Sequence, residues 1–208
     1  MFWYSSVRGI FLFLIRIFLR FKSRNAAAVP ASGGVILVSN HESFLDPILV
    51  GCATTRQPVR FMARESLFHA PGFGFLLPRI KAFPVRRGGA DRAAWAKFEE
   101  LVKEGEMVCF FPEGTRSVDG QLRPAVTGAG MLIHRCPGAV VLPVRVFDSR
   151  KVLHKDKGFQ GFHKVSVAFG SPIDIRELWL QPGSREVYEQ INVRVMDGIR
   201  AIAPPSGP

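Results

Sequence analysis

Residues 39–47, SNHESFLDP, set a histidine and an aspartate five positions apart, between the run GGVILV and an Asp-Pro pair. Asp46-Pro47 has the form of a helix start. An aspartate caps free N–H groups, and proline suits the first helical position because it lacks one. His41 and Asp46 therefore stand on the two sides of a strand-to-helix turn. Along a regular helix they would point about 140° apart. Across a turn they can meet, and the carboxylate then holds the imidazole in one tautomer. Such a pair can act as a general base, the carboxylate orienting the imidazole and offsetting its positive charge. A second junction, MVCFFPEGTRSVDG at 107–120, delivers Pro112 to Ser117 from an apolar run. Gly114 lets the backbone turn, Thr115 and Ser117 bring hydroxyls, and Arg116 brings a planar fork suited to phosphate. A third, KAFPVRRGGADR at 81–92, carries Arg86 and Arg87. Taken alone, EGTRS also fits a surface loop with a salt bridge, and paired arginines are usually solvated.

Other chemistries find less support. There is no GxSxG elbow, no HExxH and no Cys/His ligand set, which argues against serine and metal hydrolases and leaves no metal to place. Cys52, Cys109 and Cys136 share no metal-type spacing and read as reduced core thiols. Ser39, Ser43 and Cys109 are the residues to test if a covalent acyl-enzyme forms. His69, His134, His154 and His163 lack an acid in a comparable turn and read as surface or cap histidines.

In order and spacing, NHESFLD, then FPVRR about 40 residues on, FPEGTRS about 25 later and VVLPVRV at 140–146 resemble the four blocks of the glycerolipid (lysophospholipid) acyltransferase family. The resemblance runs over residues 33–172. The bacterial 1-acylglycerol-3-phosphate acyltransferases, which make phosphatidic acid, are the nearest in pattern. It implies that His41 is the catalytic histidine and Asp46 its partner. Arg87 matches the basic residue of the second block, with Arg86 beside it. Glu113, Gly114, Thr115 and Arg116 match the third block, which binds the acceptor's phosphate, and Pro143 matches the more structural fourth. It also implies acyl-CoA or acyl-carrier protein as co-substrate, a lysophospholipid acceptor, no cofactor, and association with a membrane. One departure stands out: where such proteins often read PFKTG, this chain reads PAVTG, with Val126 at the lysine position. Arg123, just upstream, is a candidate to compensate. Another lysolipid or an amino-lipid is the alternative acceptor.

These residues need a scaffold. Apolar, β-rich runs recur at 35–39, 59–62, 80–85, 107–111, 140–146 and 165–169. Helical patterns occupy 47–56, 90–103, 125–135 and 184–203. The alternation predicts an α/β fold: a single acyltransferase domain over 25–203, with a mixed sheet flanked by helices, and a disordered tail at 204–208. Residues 1–24, MFWYSSVRGIFLFLIRIFLRFKSR, differ in composition from the rest and are interrupted by Arg8, Arg16 and Arg20. The apolar run is too short to span a bilayer. At 100° per residue the three arginines fall within about 120°, one basic face against an apolar one. The expectation is an amphipathic helix in the membrane interface, with docking on the protein's own core as the alternative. A net charge of +11 fits an anionic bilayer or phosphorylated ligands. Nucleic acid would explain the charge but not FPEGTRS or the greasy N-terminal segment. The expected location is the cytoplasmic face of the inner membrane, peripheral or monotopic. A basic membrane- or nucleic-acid-binding protein without catalysis is the rival of a different class.

Overall fold

The computed structural model describes residues 2–54, 56, 58–86 and 91–204. The elements, in chain order, are α1 Phe2–Leu19, β1 Lys22–Arg24, β2 Val35–Ser39, α2 Asp46–Ala53, β3 Val59–Arg64, α3 Glu65–Phe68 and α4 Phe73–Arg79. There follow β4 Phe83–Val85, α5 Arg92–Lys103, β5 Met107–Phe110, α6 Thr127–His134, β6 Val140–Phe147 and α7 Ser149–Val152. The chain closes with β7 Leu153–His154, β8 Gly158–Phe159, β9 Ser166–Phe169, α8 Arg176–Trp179 and α9 Arg185–Arg200. Arg87 and residues 205–208 lie outside the described residues.

Among the described residues, one sheet has seven strands in the order β1-β9-β6-β2-β5-β3-β4. The five strands from β6 to β4 are parallel, while β9 runs antiparallel to β6 and β1 parallel to β9. The fold is therefore α/β with a mixed sheet. Every residue of β2 is buried, as a central parallel strand covered on both faces requires. Its side chains alternate between two cores. Val35 and Leu37 face the layer of α1 and α2, whereas Ile36 and Val38 face α5, α6 and α9.

The helices of the second layer follow their sequence signals. In α5, Asp91 caps by accepting from Ala94 N at 3.1 Å, and Phe98, Leu101 and Val102 are buried. In α9, Ser184 accepts from Val187 N at 3.3 Å, and Val187, Ile191, Val195 and Ile199, four apart, are buried. The strand expected at 80–85 shortens to Phe83–Val85, because α4 runs to Arg79 and Lys81 takes a left-handed φ of 64°.

The N-terminal segment departs most from its reading. It is helical only to Leu19, after which Lys22–Arg24 joins the sheet as an edge strand. Ile15, Leu19 and Phe21 are buried in the main core. Nor do the three arginines form one basic face. Arg8 turns inward and donates to the carbonyls of Gly51 (3.2 Å), Cys52 (3.0 Å) and Thr54 (2.9 Å) at the end of α2. A guanidinium at the C-terminal end of a helix meets carbonyls there and suits the helix dipole. Arg16 and Arg20 remain exposed, as does a stripe comprising Ile10, Phe13, Ile17 and Phe18. No helix among the described residues is long and apolar enough to cross a membrane.

Candidate active site

The chain leaves β2 and β5, neighbours in the sheet, at the same edge. The two connecting loops, 40–45 and 111–126, meet there. Their backbones are tied: Ser117 N donates to His41 O at 2.7 Å, and His41 N donates to Glu113 Oε1 at 2.9 Å. Asn40 fastens the same turn to β6, donating to Val146 O at 2.9 Å and accepting from Val146 N at 2.7 Å.

His41 and Asp46 do meet. His41 Nδ1 lies 2.7 Å from Asp46 Oδ2. The same oxygen accepts from Glu42 N at 2.7 Å and Ser43 N at 2.8 Å, while Oδ1 accepts from Ser149 Oγ at 2.6 Å. Asp46 is fully buried, so these donors replace the water it gives up. This corrects the expected cap: Asp46 is the first residue of α2, and its carboxylate turns back to the preceding turn rather than onto its own helix. A carboxylate held by N–H and O–H donors is an acceptor only, so the imidazole places its proton on Nδ1 and leaves the Nε2 lone pair open. Phe111 stacks on the ring at 4.0 Å between centroids, and the histidine side chain keeps 17 % exposure.

The other predicted residues divide. Glu113 is buried, with Oε1 on His41 N and Oε2 accepting from Arg123 N at 3.0 Å. Burial pushes its carboxyl up and these N–H donors oppose that. Its atoms are set to hold the loop, whereas a carboxylate facing phosphate would be repelled. Gly114 has φ 67°, a conformation few side chains tolerate, and Val126 packs 3.2 Å from where its Cβ would stand. Thr115 is half-buried, and the Arg116 guanidinium lies 3.7 Å above the Phe44 ring. Arg123 is exposed, and its contribution to the site is its backbone N–H. Arg86 is 75 % exposed and paired with Glu65 at 3.3 Å. It leaves β4, three strands from β2, roughly 15 Å along the sheet edge at about 4.8 Å per strand.

Sequence reasoning missed Ser149, Phe111, Asn40 and Lys155. Lys155 Nζ lies 3.4 Å from both Thr115 Oγ1 and Arg116 O. Ser149 and Lys155 come from elements remote in sequence, whereas Asn40 and Phe111 adjoin His41 and Glu113 in the chain, and only the packing shows what they touch. The alternative nucleophiles are engaged elsewhere. Ser39 Oγ donates to Asn40 O, and Ser43 Oγ donates to Leu153 O. Burial pushes the Cys109 thiol far up, which keeps it protonated. Of the other histidines, His134 bonds Gln181 O at 3.1 Å beside the end of α6 and His154 bonds Val118 O at 3.1 Å.

Comparison with known proteins places the chain among acyltransferases. A chloroplast 1-acyl-sn-glycerol-3-phosphate acyltransferase of Brassica napus is 31% identical over 141 residues, 66% of this chain and 40% of that protein. The 1-acyl-sn-glycerol-3-phosphate acyltransferase of Bacillus subtilis is 37% identical over 112 residues, 53% of this chain and 56% of that protein. The chain thus spans about half the length of these curated relatives or less. The crystal structure of the 1-acyl-sn-glycerophosphate acyltransferase PlsC from Thermotoga maritima shares the fold, with a TM-score of 0.68 at 21% identity, covering 94% of this chain and 82% of that one. The model of the family described as Acyltransferase matches residues 20–147, a stretch that holds His41, Asp46 and the whole 111–126 loop, and the chain belongs to that family.

Proposed function

We propose that the protein transfers an acyl group from an acyl thioester, acyl-CoA or acyl-carrier protein, to the free hydroxyl of 1-acylglycerol-3-phosphate, giving phosphatidic acid. The observation that carries the reading is the 2.7 Å contact of His41 Nδ1 with a buried Asp46 whose oxygens are otherwise taken by fixed donors. His41 Nε2 takes the acceptor's hydroxyl proton as the oxygen attacks the thioester carbon. The tetrahedral intermediate collapses, the C–S bond breaks, and the leaving thiolate takes the proton from the imidazolium. Asp46 keeps the ring in the needed tautomer and offsets its positive charge. Arg116, with Arg87, holds the acceptor's phosphate. The acyl chain lies against the apolar crevice lined by Val7, Phe11, Ile48, Phe61, Leu76 and Ile80. The enzyme sits on the cytoplasmic face of the inner membrane, with α1 at the interface.

A second reading, another lysolipid or an amino-lipid as acceptor, is favoured by Val126, an apolar residue against Gly114 in the loop assigned to phosphate. Release of free CoA thiol from acyl-CoA, measured against a panel of lysolipids in vesicles, tests both. Turnover with lysophosphatidate supports the first reading, and turnover only with another acceptor supports the second. Absence of thiol release with every acceptor and with both donor types overturns the acyltransferase reading.

A further inference from the structure

The hairpin of β7 and β8 does work that neither the motifs nor the family comparison assigns. Its turn is tight. Asp156 N and Lys157 N donate to His154 Nδ1 at 3.1 and 3.3 Å, and Gly158 takes φ 71°. Its base is fastened to both site loops. Leu153 O accepts from Ser43 Oγ at 2.9 Å, two residues from His41. The next residue, His154, presents Nε2 at 3.1 Å from Val118 O, and Lys155 reaches Thr115 and Arg116. Three consecutive residues thus grip the loops that carry the chemistry.

The far side of the hairpin faces outward. Phe159 is 59% exposed and Phe162 63%. Their rings meet edge-on at 5.3 Å, and Phe162 stacks on Phe18 of α1 at 5.1 Å. The pair therefore continues the exposed stripe of Ile10, Phe13 and Ile17 into one apolar surface built from two elements. Isolated exposed apolar residues need no explanation, but a contiguous patch does. Charge identifies the occupant. Arg16, Arg20 and Lys22 are exposed on or just after α1, with no acid in the chain before Glu42, and the hairpin turn carries an exposed Lys157 beside its one acid, Asp156. Aromatic side chains rimmed by cations suit the boundary of an anionic bilayer, where rings enter the acyl region and cations meet head groups.

We propose that the hairpin 153–162 is a second lipid-docking element, which inserts Phe159 and Phe162 beside α1 and couples the bilayer surface to the acceptor loop through its base. The coupling rests on the acyltransferase reading, whereas the docking does not. The test uses the full chain and vesicles of phosphatidylcholine with and without phosphatidylglycerol. The double variant Phe159→Ser/Phe162→Ser is expected to bind anionic vesicles roughly 10- to 100-fold more weakly, two partly inserted rings being removed. Its turnover of vesicle-borne lysolipid falls, while turnover of a short-chain acceptor dissolved in water is kept. Because the serine pair can also perturb folding, Phe159→Trp supplies an independent readout: its added fluorescence, relative to the parent, shifts to the blue and is quenched by brominated lipid. Unchanged vesicle binding in the double variant, or no shift in the Phe159→Trp variant, overturns the docking. So does a concentration-dependent dimer, abolished by the double variant, in a protein that ignores vesicles. Equal loss of turnover on vesicle-borne and dissolved acceptors, in a variant that melts like the parent, overturns the coupling. If the parent acylates no acceptor, the catalytic reading fails, and the vesicle measurements still decide the docking.

Discussion

At the scale of single residues, Asp46 is the more constrained member of the proposed catalytic pair. One oxygen serves His41 and two backbone N–H groups, and the other serves Ser149. An asparagine offers one acceptor and one NH₂, so some of these donors then face a donor. Asp46→Asn is expected to lower kcat and also to destabilise the fold by about 1–3 kcal/mol, the cost of an unmet buried hydrogen bond. His41→Ala is expected to lower kcat by about 10²–10⁴-fold while melting near the parent. Melting curves and initial rates on the same preparations check both; an asparagine variant as stable as the parent would refute the view that the carboxylate organises the turn. Glu42, in the same turn, behaves differently. Burial pushes its carboxyl up to about 7, Asp46 and Asp148 add to the shift, and Arg150 opposes it. The folded state therefore binds this proton more tightly than the unfolded chain. Its contribution to stability is fully present below the unfolded value of 4.5 and is lost as pH rises through about 7. The loss amounts to at most about 3 kcal/mol at 1.36 kcal/mol per unit. Glu42→Gln, which cannot ionise, should remove this slope, and urea unfolding at pH values on either side of the window measures it. An identical slope in the variant would show that Glu42 is not its source.

At the scale of elements, the proposed acceptor site draws on the 111–126 loop and the β7–β8 hairpin, which touch through Lys155. A charge-assisted hydrogen bond contributes about 1.5–3 kcal/mol. Arg116→Ala should therefore raise the acceptor KM by roughly 10- to 150-fold. Arg116→Lys should restore only part, because a fork becomes a point charge. Lys155 Nζ, at 3.4 Å from Thr115 Oγ1 and Arg116 O, brings a second cation to the same loop. In the proposed mechanism it takes the role that the sequence suggested for Arg123, whose side chain is exposed. Lys155→Ala is expected to raise the acceptor KM several-fold, roughly 3- to 10-fold for a longer and weaker contact, and to leave vesicle binding unchanged. A rise confined to the acyl-donor KM would move both cations to the donor's phosphates.

At the scale of the molecule, α1 is part of the fold as well as the proposed membrane-facing surface. Ile15, Leu19 and Phe21 lie in the main core, Arg8 closes the end of α2, and Lys22–Arg24 pairs with β9. Removing the segment would open the core and strip an edge strand, so loss of membrane binding in such a truncation would not separate anchoring from unfolding. Substituting the outward stripe does separate them. Phe13→Ser/Ile17→Ser should release the protein from anionic vesicles with little change in melting temperature. Ile15→Ala, between them in sequence but buried, should cost about 2–4 kcal/mol, as large-to-small core changes do. Vesicle sedimentation and thermal melting of the two variants check the pair of expectations; a stripe variant that sediments like the parent removes α1 from the docking surface.

The contact of His41 with Asp46 was legible because it is local. His41 and Asp46 stand five residues apart across an Asp-Pro turn, and a turn that short admits few geometries. The apolar runs at 35–39, 107–111 and 140–146 announced central strands, and the spacing of four in α9 announced its buried face, because strand and helix periods are written directly into side-chain order. Tertiary structure decided what lies between distant positions. Ser149, 103 residues from Asp46, completes the carboxylate's partners only because β6 returns beside β2. In α1 the apolar residues cover both an inward and an outward sector, so periodicity identifies no single face, and only the packing of α2 and β9 selects which sector is buried. The hairpin left no signal at all: strands of two residues carry no period, and what makes them an element is the grip of Leu153, His154 and Lys155 on loops that the sheet brings to the same edge.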